Sequence, residues 1–119
     1  MFEYHAWAML EPEGGSEAED ALADALNARI AELDDATRES FRVTRLNALM
    51  VHASGLRNRT QGAVLSLFEW LARECPQAYG LIYFRGEDLG ADGLYRFEVM
   101  RIHRGTIQYL EDRYFTDAP

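Results

Sequence analysis

The chain has 119 residues, 48% of them hydrophobic, and a formal net charge of −8. That length is one ordinary domain, residues 1–119, with enough apolar residues for a single continuous core and no room for a second. A negative balance this strong disfavours nucleic acid and anionic membranes as direct partners, since both are polyanions, and favours a basic protein.

The charge is unevenly placed. Residues 11–35 hold nine acids (Glu11, Glu13, Glu17, Glu19, Asp20, Asp24, Glu32, Asp34, Asp35) against Arg29 alone, while the other eleven acids and eleven arginines cancel. Lysine is absent. The start, Met1-Phe2-Glu3-Tyr4-His5, lacks the basic and apolar regions of a secretory signal, and no lipidation motif is visible. The longest apolar stretches, 46–53 and 78–84, are too short to cross a bilayer. A soluble, cytoplasmic protein is the expectation.

Phe2 to Leu10 alternates aromatic and apolar residues over a strand's length, with Phe2, Tyr4, Ala6 and Ala8 on one side and Trp7 and Met9 on the other, so it belongs inside a sheet. Glu11-Pro12-Glu13-Gly14-Gly15 breaks it, and Ser16 followed by Glu19 has the spacing of a capping box. The expected helix over 16–35 buries Leu22, Leu26, Ile30 and Leu33 at the 3.6-residue period and turns Glu17, Asp20, Asp24 and Asp35 outward. Residues 41–54 read as one long second strand with a bulge near Asn47, closed by Gly55. A second helix starts near Thr60, buries Val64, Leu65, Phe68, Leu71 and Ala72, and ends at Pro76. Residues 79–84 form a third strand, 85–93 a polar loop, and 94–103 with 106–110 a hairpin around Arg104-Gly105. The expected architecture is an α+β single domain of order βαβαβββ: a five-stranded mixed or antiparallel sheet with two helices on one face.

Catalytic chemistry finds little support. His5, His52 and His103 fall on three different strands without a second ligand at a metal-binding spacing, and the lone Cys75 can form neither an internal disulfide nor a zinc site. Glu87, Asp88 and Asp92 share a glycine-rich stretch that lacks the alternating oxygen spacing of a calcium loop. No phosphate-binding glycine motif is present. Trp7, Trp70 and most tyrosines lie in periodic apolar segments and read as core. These residues describe an acidic binding module without enzymatic activity, metal or cofactor. The partner-binding candidates are Glu17, Asp20 and Asp24 on the first helix and Glu87, Asp88 and Asp92 in the acidic loop.

Several short segments, taken in order, carry a resemblance: Phe2-Glu3-Tyr4-His5-Ala6-Trp7, Gly55-Leu56-Arg57-Asn58, Tyr79-Gly80-Leu81-Ile82-Tyr83, Glu87-Asp88, Arg104-Gly105, Asp112 and Pro119. In this arrangement the chain resembles the immunity proteins of bacterial polymorphic toxin systems, specifically immunity protein family seven. Two departures stand out: Ala6 replaces the family's usual glycine, and Thr116-Asp117 stands where Ser-Pro is common. The resemblance implies a cytoplasmic antidote that occludes a cognate toxin, often one that damages nucleic acids. The competing reading is an acidic regulator or DNA mimic that binds a basic host protein.

Overall fold

Every other residue along β1 (Phe2–Leu10), starting with Phe2, is buried, and β1 lies inside the sheet, hydrogen-bonded to β3 (Leu49–Arg57) on one edge and to β4 (Tyr79–Gly86) on the other. The computed structural model describes residues 1–87 and 96–115. Among these, six strands run in the order β2-β3-β1-β4-β5-β6, where β2 is Phe41–Arg45, β5 is Glu98–His103 and β6 is Thr106–Glu111. Every neighbouring pair is antiparallel. The sheet therefore has six strands rather than the expected five, and none of its pairs is parallel.

The extra strand comes from Asn47. The apolar run 41–54 was expected to be one strand, but Asn47 takes a left-handed conformation (φ 64°) and reverses the chain, so that Val43 pairs with Val51 and Phe41 with Ala53. Asparagine tolerates this conformation better than other residues that carry a Cβ, and a three-residue turn with one left-handed residue is a common hairpin connection. β3 also continues beyond its expected end at Ser54 to Arg57. Gly55 lies within it because the Tyr4 phenol crosses there: a Cβ at Gly55 would sit 2.6 Å from the Tyr4 oxygen. That phenol lies 2.6 Å from Ser40 Oγ, which itself donates to the Thr37 carbonyl, so Tyr4 is the donor to Ser40.

The long acidic helix is also divided. α1 (Gly15–Ala31) begins at Gly14, whose φ of 105° is open only to glycine, and no side chain caps it. The expected Ser16–Glu19 capping box does not form, and Glu19 turns instead toward Arg45. The chain leaves the helix after Ala31, and Asp34 caps a separate short helix, α2 (Asp35–Glu39), by accepting from the Thr37 N–H at 3.0 Å. α3 (Gly62–Glu74) follows the expected period, with Leu67 and Trp70 added to the buried set. Leu65, expected in the core, is only partly buried. Arg104 and Gly105, both at positive φ, close the β5–β6 hairpin as expected.

α1 and α3 cover one face of the sheet. Phe68 of α3 stacks on Phe41 at 6.1 Å, and Arg29 of α1 lies 4.5 Å over the Trp70 ring of α3. Phe2, Tyr4, Leu10, Leu49, Val51, Ile82 and Met100 supply the sheet side of this core. At its centre the register brings together small residues: Ala8 pairs with Gly80, and Ala6 with Ala53. A Cβ at Gly80 would be driven into the Trp7 carbonyl oxygen and would lie 2.8 Å from the Ala8 Cα. Both obstacles are backbone atoms of the central strand, which cannot move without parting the ladder. Gly80→Ala is expected to cost about 2 kcal/mol or more, measured by urea unfolding, whereas Gly62→Ala, at a site with open space around it, should be near neutral.

Candidate partner-binding surfaces

Glu17, Asp20 and Asp24 share the solvent side of α1, opposite Leu22, Leu26 and Ile30, and all three are exposed. Asp20 is already engaged: Arg45, at the end of β2, donates to it from Nη2 at 2.7 Å and to Glu19 from Nε at 3.1 Å. Glu17 and Asp24 make no ion pair among the described residues. Glu87 lies elsewhere. It follows β4 and accepts from the N-terminal ammonium at 2.9 Å, beside the start of β1, whereas α1 follows the far end of that strand. Asp88 and Asp92 lie outside the described residues. The structure thus groups the three helix acids and places Glu87 apart from them.

Among the described residues no helix lies over the opposite face of the sheet. Trp7 and Tyr79, expected in the core, point to this face and remain 38% and 42% exposed, meeting edge to face at 6.0 Å. Further along the same strands, Phe97 is enclosed by Tyr83 (6.0 Å), His5 (6.1 Å) and Phe115 (6.0 Å), with the Arg85 guanidinium 5.4 Å over its ring. Phe115 is placed there by a local turn in which the Asp112 carboxylate accepts from the N–H groups of Tyr114 and Phe115, at 3.1 and 2.8 Å. Glu3, His5, Tyr83, Phe97 and Phe115 line a largely apolar cavity of about 430 Å³. A second hollow of about 530 Å³ shares Tyr83 and runs past Leu81 and Val99 to Leu110 and Tyr114.

Glu3 forms the polar wall of the first cavity. It accepts from Arg85 Nε at 2.9 Å and lies 2.6 Å from His5 Nε2. Burial tends to raise its pKa, but the hydrogen bonds to His5 and Arg85, with the charge of Arg85, outweigh that and hold the carboxyl below its ordinary value of 4.5. Burial, and then the nearby Asp112 charge, push the Tyr83 phenol up. All three histidines occur at alternate positions of this same face, on β1, β3 and β5. His52 pairs in register with Trp7 and Arg42, and His103 contacts Arg101 at 3.3 Å. Among the described residues no group of three or more His, Cys, Asp or Glu is arranged to hold a metal ion. Cys75 is fully buried at the end of α3, and burial pushes its thiol up, away from the reactive thiolate.

The uncovered face was the part that residue-by-residue reading missed. Its signal was present in β4, where Leu81 and Tyr83 alternate with buried Gly80, Ile82 and Phe84, so that both sides of the strand are apolar. Two helices on one face can cover only one of those sides. None of the helices described is long and apolar enough to cross a membrane.

Residues 1–118 match the family model described as Immunity protein 7. No curated protein and no solved structure matches the chain. The match spans nearly the whole length, and the chain belongs to the immunity protein 7 family.

The Glu3 pairing gives the uncovered face a pH signature. Because the folded carboxyl titrates below its unfolded value of 4.5, its contribution to stability is complete above that value and is lost as pH falls through the folded pKa. Urea unfolding from about pH 3 to about pH 8 should show Glu3→Gln losing stability less steeply than the wild type on the acid limb, with the two profiles parallel above about pH 6.

Proposed function

We propose that this member of the immunity protein 7 family neutralises a cognate bacterial toxin in the cytoplasm by binding the toxin domain and occluding it, with no catalytic step of its own. The observation that carries the reading is the family match along residues 1–118. Occlusion requires complementary surface and fast association rather than an active site. The exposed acids of α1 supply a long-range attraction for a basic toxin domain, and Glu17 and Asp24 act most directly because no cation among the described residues pairs with them. Glu87, with Asp88 and Asp92 close to it in sequence, belongs to the same proposal, tempered by the pairing of Glu87 to the N-terminal ammonium.

Charges on a surface of this kind mainly change the association rate. Replacing Glu17, Asp20 and Asp24 by Gln, Asn and Asn should leave the melting temperature nearly unchanged, because all three side chains are exposed and the one ion pair lost, Asp20 with Arg45, lies at the surface. Association with the toxin domain encoded beside this chain should slow by about tenfold at low salt, and its salt dependence should flatten. Stopped-flow binding at low and high ionic strength measures both effects. An unchanged rate at low salt would make the α1 acids a solubilising surface only.

A further inference from the structure

We propose that the toxin is held on the uncovered sheet face, where one of its apolar side chains enters the cavity formed by His5, Tyr83, Phe97 and Phe115 while toxin carboxylates meet the arginines and histidines around it. This deepens the immunity reading and rests on it. The first ground is exposure. A single domain that buries the other face of its sheet under two helices leaves Trp7, Tyr79 and Phe115 substantially open to water, and contiguous exposed aromatics on a monomer mark an interaction site. Tryptophan and tyrosine are also the residues that most often dominate binding energy at protein interfaces.

The second ground is the chemistry of the cavity. Its volume, about 430 Å³, accommodates a large side chain. Among the described residues Glu3 is the only carboxylate that lines it and is already engaged by Arg85 and His5, while Arg85 itself occupies the cation position over Phe97. A lysine or arginine from a partner would meet a neutralised acid and a resident guanidinium, so the cavity suits an aromatic or aliphatic side chain.

The third ground is charge. Among the described strand residues on this face, Arg42, Arg85 and Arg101 outnumber a single acid, Glu3, with Asp112 beside Tyr83 at the edge, although the chain as a whole carries −8. The face is therefore opposite in sign to α1. A second copy docked about a two-fold axis would set these cations against themselves, whereas carboxylates flanking a toxin's apolar residue would complement them. The two surfaces then have separate roles: α1 acts at a distance and the sheet makes the contact. At 0.01 M salt the Debye length, roughly 30 Å, exceeds the 21 Å short dimension of the molecule, so the α1 charges reach a partner that docks on the other side.

The test uses the full chain and the toxin domain encoded beside it, with surface plasmon resonance to separate the two rates. Phe115→Ser and Trp7→Ala, each at an exposed position and each checked for a wild-type melting curve, should raise the dissociation rate by about 30-fold or more, as loss of an interface hot spot does. Association should stay within about threefold of wild type. Phe115→Leu, which keeps an apolar side chain for the cavity, should restore most of the loss. If both variants dissociate within about threefold of the wild-type rate while the wild type binds, the sheet face is not the contact, and the immunity reading stands. If the wild type does not bind at all, that reading fails and this inference falls with it. A free chain that sediments as a dimer and becomes monomeric in Phe115→Ser would assign the face to a second copy and overturn the proposal.

Discussion

β1 is hydrogen-bonded along both of its edges, and that one constraint organises the molecule. A strand flanked on both sides must present two different faces through its side-chain alternation. On one face Phe2, Tyr4, Ala6, Ala8 and Leu10 build the floor of the core. The small residues in the middle, with Ala53 and Gly80 beside them, keep the ladder closed where the backbones approach most tightly. On the other face the same strand presents Glu3, His5 and Trp7. With both long helices packed on the first face, no described helix is left to cover the second, so its aromatic content follows from the topology that stabilises the core.

Charge is distributed along the same division. Four acids (Glu17, Glu19, Asp20 and Asp24) lie on α1, and three of the five strand arginines (Arg42, Arg85 and Arg101) lie with the three histidines on the other face of the sheet. The composition shows only the sum, −8, which suggests a uniformly acidic protein. A partner approaching this molecule meets one field from a distance and a different surface on contact.

How much of this was legible depended on whether a feature was periodic or conformational. The alternation in β1, the 3.6-residue stripe of α3 and the glycine of the β5–β6 turn were readable because the periodicity or turn chemistry is local. Asn47 was noticed but read as a bulge, because the apolar run on either side of it is nearly unbroken and only its left-handed φ makes it a reversal. Ser16 had the right spacing for a cap, yet the two preceding glycines had already turned the chain into the helix, and Glu19 found Arg45 instead. Trp7 and Tyr79 were read as core because an aromatic in a strand usually is. Their exposure follows from how many helices lie on each face, a property of the whole sheet that no single segment carries. Glu17, Asp20 and Asp24 lie on an exposed helix face, as their period indicated, and Glu87 lies near the opposite end of β1 from them.

The central claim is that the chain is an antidote that works by binding alone. Its most direct test is survival: cells induced to produce a candidate toxin domain from a gene neighbouring that of this chain, with and without the chain supplied from a second promoter. The account predicts that co-production restores growth and that the two proteins co-purify as a stoichiometric complex with the toxin unmodified. Growth arrest that persists in the presence of abundant, folded chain would contradict it, as would rescue accompanied by covalent alteration or destruction of the toxin.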